Sequence, residues 1–167
     1  MIEYILIFLM IGCGIVILIA TVIGAKEWFL YQKISNLTIS QLPISKKYFC
    51  ELVMEWCDIN LSLPKSIKPS LIIKYYSHKS RSGVYFSSTH ECVIYINSHD
   101  NIQQVANTVI HEFVHALQKN KNFDKLYRKY QKEVGYDQNP FEVEAREISK
   151  KCEKDCLIWT YHRIYSN

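Results

Sequence analysis

Residues 111 to 115 read His-Glu-Phe-Val-His, inside a stretch from Asn101 to Lys119 whose apolar positions recur at helical spacing. On a helix, side chains four positions apart share a face, so His111 and His115 can bring two imidazole nitrogens to one metal ion. Glu112 sits one step round, where its carboxylate can reach a water on that metal without being a ligand. Two ligands beside a free base are the division of labour that metal-assisted hydrolysis needs. Val105, Val109, Ile110, Phe113, Val114 and Leu117 make the helix apolar on most of its girth. A histidine pair and a glutamate placed there carry a desolvation cost that a metal offsets, which argues against a merely solvated face.

Several elements must position that helix. Tyr48, Leu52, Val53 and Trp56 predict a helix over Ser45 to Asp58, and Pro64 and Pro69 punctuate the loop that follows. Leu71 to Tyr76, Gly83 to Ser87 and Cys92 to Asn97 read as three strands of a small antiparallel meander. Asp100 is the expected N-cap of the motif helix, with Gln103 as its capping-box partner. A last helix is predicted from Asn139-Pro140 towards Tyr161. Its apolar stripe of Phe141, Ala145, Ile148, Cys152, Cys156 and Trp159 leaves Glu142 and Glu144 flanking it almost symmetrically, so helical geometry does not choose between them as a third ligand. Glu142 also has a structural role available, as the capping-box partner of Asn139. The class is α+β.

The N-terminus carries a different signal. Tyr4 to Ala25 is apolar or small throughout, and its 22 residues as a helix reach about 33 Å, enough to cross a bilayer core. The run is longer than a cleaved signal's core and no basic segment precedes it, so it reads as a single-pass transmembrane anchor. Lys26, Lys33, Lys46 and Lys47 follow it, which places the remaining chain on the cytoplasmic face, and Trp28, Phe29 and Tyr31 suit the interface. The expected organisation is an anchor over 1–28, a linker over 29–44 and one compact domain over 45–167.

Composition excludes other classes. A formal charge of +4 over 167 residues, with lysines scattered among acids, supports no nucleic-acid partner. There is no Gly-rich phosphate loop and no internal repeat. Of six cysteines, Cys13 lies in the span, Cys50, Cys57 and Cys92 in apolar segments, and Cys152 and Cys156 one turn apart on the last helix. Free buried thiols account for all of them, in agreement with a cytoplasmic domain; Cys152 and Cys156 lack the second pair a zinc site needs. His78, His90, His99 and His162 fall in loops or near the C-terminus and read as locally bonded side chains.

The order of a small sheet, the HExxH helix and a second helix bearing acids resembles the gluzincin metallopeptidases, particularly their small single-domain members, over roughly residues 71 to 160. That resemblance implies a third zinc ligand in a Glu-x-x-Ala pattern, and matching the alanine to Ala145 makes it Glu142 rather than Glu144. It implies a zincin-like domain, Zn2+ held by His111, His115 and Glu142, and hydrolysis of a peptide or protein substrate with Glu112 as general base. It also implies that an edge strand, taken as Cys92 to Asn97, pairs with an extended substrate, so that Tyr95 and Asn97 border the cleft. Some relatives carry an acid after the alanine to support a zinc-bound histidine; here Arg146 stands there, and Asp137 or Glu144 is left to do so. An aspartate ligand from Asp124 or Asp137 lacks a supporting pattern, and Gln118 and Lys121 rule out the extended third-histidine motif. Tyr136, Tyr161 and His162 are candidate donors to the oxyanion. The contrasting expectation is a non-catalytic membrane protein that keeps the scaffold for a structural or regulatory role.

Overall fold

The computed structural model describes the backbone of residues 2–61, 68–119 and 122–166, and within those ranges the side chains from residue 19 onward. Its elements are helices α1 (Ile2–Ser35), α2 (Lys46–Asn60), α3 (Ile102–Gln118), α4 (Phe123–Glu133) and α5 (Pro140–Tyr165), with strands β1 (Ser70–Lys74), β2 (Gly83–Phe86) and β3 (Glu91–Tyr95) between α2 and α3. The α+β class is as expected.

Helix α3 is the centre of the packing. It buries Val105, Ala106, Val109, Ile110, Phe113 and Val114, and it lies against α5 and α2 on one side and against β2 and β3 on the other. Its start is displaced by one residue from the predicted cap. Asn101 is the N-cap, accepting from the Gln104 amide at 2.9 Å, while the Gln104 side chain accepts from the Asp100 amide at 2.9 Å. Gln103 is unavailable because its amide nitrogen donates to Glu153 (2.6 Å) and to the Tyr31 hydroxyl (2.9 Å).

The sheet departs from the predicted antiparallel meander. Its order is β1-β3-β2, with β1 parallel and β2 antiparallel to β3. Strand β3 buries Cys92, Val93 and Ile94 in succession, the signature of a central strand covered on both faces, whereas β1 and β2 are only partly buried. The link through 75–82 carries the chain past the place of β3, and the tight turn at 87–90, with His90 at φ 59°, then folds β3 back between its neighbours.

Helix α1 runs unbroken to Ser35, so the stretch 29–44 is not a free linker. Ile34 and Leu42 are buried, a 3-10 turn occupies Ile39–Gln41, and the Ile102 amide donates to the Leu37 carbonyl at 2.8 Å. The predicted span Tyr4 to Ala25 lies within α1, and the side chains of its residues 4–18 lie outside the described ones. Among the described residues no helix is long and apolar enough to cross a membrane. The side chain of Cys13 is likewise outside them; the other five cysteines are free thiols, Cys50, Cys57, Cys92 and Cys156 being buried.

Helix α4 was not foreseen. Most of it is charged, yet Phe123, Leu126, Tyr127 and Tyr130 recur at helical spacing, and Phe123 and Tyr127 pack their rings on Phe141 of α5 at 5.1 and 6.1 Å. Gly135, at φ 78°, supplies the left-handed residue just past the end of α4. Asn139 then caps α5 through the Phe141 amide (3.2 Å) and donates to the Tyr127 carbonyl (3.2 Å), which fixes the two helices together.

Candidate metal centre

His111 and His115 stand on successive turns of α3 and Glu142 in the first turn of α5, across the principal helix contact of the fold. The two Nε2 atoms are 3.1 Å apart, and the Glu142 carboxylate oxygens lie 3.2 Å from that of His111 and 3.3 Å from that of His115. Among the described residues this is the one group of three histidine, cysteine, aspartate or glutamate side chains gathered closely enough to hold a metal. Donors at roughly 2.0–2.1 Å from a tetrahedral ion stand roughly 3.3–3.4 Å from one another, so this triangle fits one face of such an ion. Two imidazoles and one carboxylate, with a face left open, make a donor set suited to hydrolytic zinc.

The choice between the two glutamates follows from the buried face of α5. That face holds Glu142, Ala145, Ser149, Cys156, Leu157 and Thr160, one step round from the predicted stripe, because Ser149 and Thr160 turn inward while Ile148, Cys152 and Trp159 are only partly covered. Glu142 is therefore buried and Glu144 exposed. Glu142 does not serve as a capping-box partner; it accepts a short hydrogen bond from the Tyr127 hydroxyl on α4. Burial disfavours its charge, but hydrogen bonds from His111, from the His115 ring when it is protonated, and from Tyr127 outweigh this and hold its carboxyl well below the usual range. Burial, followed by the hydrogen bond to the same carboxylate, pushes the Tyr127 and Tyr136 hydroxyls upward.

Glu112 points towards the sheet rather than into the triangle. It is buried at 6% exposure, with the Tyr85 backbone amide of β2 favouring its charged form. Burial pushes its carboxyl up to about 7, with His115 opposing that rise and Glu142 adding to it. A carboxyl poised there suits proton exchange near neutral pH.

A cavity of about 860 Å³ opens over these residues, walled by β2 on one side and by α4 with Tyr136 and Arg146 on the other. The strand at its edge is β2, not the predicted β3, so Tyr95 and Asn97 do not border it. The Tyr95 amide donates to the Ser82 carbonyl at 2.9 Å; by the alternation of an antiparallel ladder, Ser82, Val84 and Phe86 bond to β3 while Gly83 and Tyr85 turn their backbone groups outward. Of the three proposed oxyanion donors only Tyr136 lines the cavity; Tyr161 and His162 lie near the far end of α5, where Tyr161 packs on Tyr165.

The other candidates separate cleanly. Asp124 accepts from the Ser87 hydroxyl, and the Asp137 carbonyl accepts from Arg146, so neither joins the ligand group. Arg146 also faces the Tyr136 ring at 6.0 Å. His78 packs on Tyr95, His90 pairs with the Tyr85 hydroxyl (2.6 Å), and His99 with that of Thr108 (2.9 Å). Three residues at the centre were missed in the sequence. Tyr127 was legible through the aromatic spacing of α4, and Gln118 stands at helical spacing from His115, but Gly83, which packs on Glu112, carries no sequence signal of that contact. Comparison with models of known families, with curated proteins and with solved structures finds no match to this chain.

Proposed function

We propose that the chain is a zinc-dependent metallopeptidase of gluzincin type, anchored in a membrane by α1. The observation that carries the reading is the triangle of His111 Nε2, His115 Nε2 and the Glu142 carboxylate, at 3.1 to 3.3 Å, with Glu112 beside it. When bound there, zinc supplies Lewis acidity and lowers the pKa of a water towards neutrality. Glu112 takes the proton of the attacking water and delivers it to the leaving amine. The close approach of Gly83 confines its carboxylate, and the burial of Glu112 keeps its affinity for a proton high enough for that exchange. The outward backbone groups of Gly83 and the outward Tyr85 carbonyl offer an extended peptide an edge to pair with, and Tyr136, which lines the cavity, is our candidate donor to the carbonyl oxygen. Exposed Ile19, Val22, Ile23, Trp28 and Phe29 on α1 support insertion of that helix, and the lysines after the span support a domain on the cytoplasmic face.

The test is metal analysis of the full chain in detergent together with a peptide-library digest by wild type and Glu112→Gln. One zinc per chain in both, with cleavage lowered at least about a hundredfold in the variant, is the expected result. Zinc without cleavage in either would favour the non-catalytic scaffold.

A further inference from the structure

Gln118 lies three residues beyond His115, at the end of α3, and among the described residues its side-chain amide has three hydrogen-bond partners that bear on the site. Its nitrogen donates to the Phe141 carbonyl (3.0 Å) and to the Glu144 carboxylate (3.0 Å), and its oxygen stands 2.7 Å from His115 Nδ1. The first two partners are oxygens that only accept, which fixes which end of the amide is nitrogen. The oxygen must then face His115, and an oxygen can only accept. Nδ1 is therefore the protonated nitrogen of the neutral ring, and the lone pair is left on Nε2, the atom that faces His111 and Glu142.

We propose that Gln118 is a positioning residue of the metal centre, holding His115 in the tautomer that presents Nε2 and tying the end of α3 to the first turn of α5, where Glu142 resides. This rests on the metal-site reading above. It accounts for Arg146 standing where an acid was expected: support for the histidine comes from α3 itself, and Glu144, one of the two acids considered for that role, acts at one remove through the amide. A charged carboxylate directly on the ring would raise the ligand's basicity more, whereas an amide fixes direction with a neutral group.

The experiment uses the full chain. Zinc affinity is measured by chelator competition for wild type, Gln118→Leu and Gln118→Glu, and the 15N signals of His115 are recorded for the zinc-free proteins in alkaline buffer. Wild type should show Nδ1–H. Gln118→Leu, similar in size but unable to accept, should mix the two tautomers and bind zinc about 10- to 100-fold more weakly. Gln118→Glu keeps an acceptor and should restore the Nδ1–H signal. An Nε2–H signal in wild type overturns the proposal whatever the variants do, as does unchanged zinc affinity in a folded Gln118→Leu. Wild type that binds no zinc instead removes the metal-site reading.

Discussion

Gly83 of β2 and Glu112 of α3 touch so closely that a Cβ on the glycine would lie 2.8 Å from the glutamate Oε1 and 2.7 Å from the Thr108 methyl. The strand edge and the Glu112 carboxylate are thus fitted to each other through the absence of a side chain. Gly83→Ala should push the carboxylate aside and lower hydrolysis by about a hundredfold, the cost of a displacement of roughly 1 Å at a reacting group. Zinc content should be unchanged, with stability reduced by about 1–3 kcal/mol from overpacking. Unaltered turnover in a folded Gly83→Ala would show that Glu112 is not held by this contact.

Glu142 and Glu144 should behave differently. Glu142→Ala removes a buried carboxylate from two imidazoles and Tyr127, so zinc binding should be lost or weakened by several orders of magnitude. Glu144→Ala leaves Gln118 bonded to the Phe141 carbonyl and should change affinity by less than about tenfold. Isothermal titration of both variants decides this, and the opposite order would move the ligand to Glu144.

Glu153 joins α1, α3 and α5, accepting from Tyr31 (2.9 Å), Gln103 (2.6 Å) and Asn107 (2.9 Å). Glu153→Ala strands these donors, at a cost of about 1–3 kcal/mol. A lower melting temperature and faster proteolysis near the end of α1 are expected; identical melting curves would count against this bridge.

Alkaline pH should weaken the fold in a defined window. Burial pushes the Cys50 and Cys156 thiols from 9.0 up to about 12, and burial followed by the hydrogen bond to Glu153 pushes Tyr31 from 10.0 up to about 12. Groups whose folded values are raised contribute stability that is complete below the unfolded values and is lost as pH rises towards 12. These groups should leave denaturation midpoints flat below about pH 8 and lower them progressively above it, in addition to the separate loss, as pH rises through about 7, that the raised Glu112 carboxyl contributes. Native alkylation near pH 8 should modify Cys152 before the four buried thiols.

The anchor is tested separately. Full-length chain should stay in the pellet on carbonate extraction, and a reporter after Tyr165 should be shielded from impermeant reagent in intact cells. Labelling there would reverse the orientation, and release into the supernatant would remove the anchor.

By itself, the sequence determined that His111, Glu112 and His115 share one buried helix and where the helices α2, α3 and α5 lie, because those signals are local. His111 and His115 share a face through 3.6-residue periodicity, Ser45 and Asn139 announce helix starts through capping chemistry, and burial of α3 follows from its apolar girth. Tertiary structure decided what depends on contacts between distant segments. Glu142 prevails over Glu144 because small and hydroxyl side chains at Ala145, Ser149 and Thr160 turn that face of α5 inward, which the position of the larger apolar residues alone did not reveal. The edge strand is β2 because β3 inserts between β1 and β2, and strand order depends on how a link crosses the sheet rather than on alternation within any strand. Gln118 and Tyr127 acquire their partners only when α3, α4 and α5 converge. Hydrogen bonds across such sequence distances leave no periodic trace, so Glu142 and the groups around it emerged from the packing, and the pairing of His111 with His115 from the spacing.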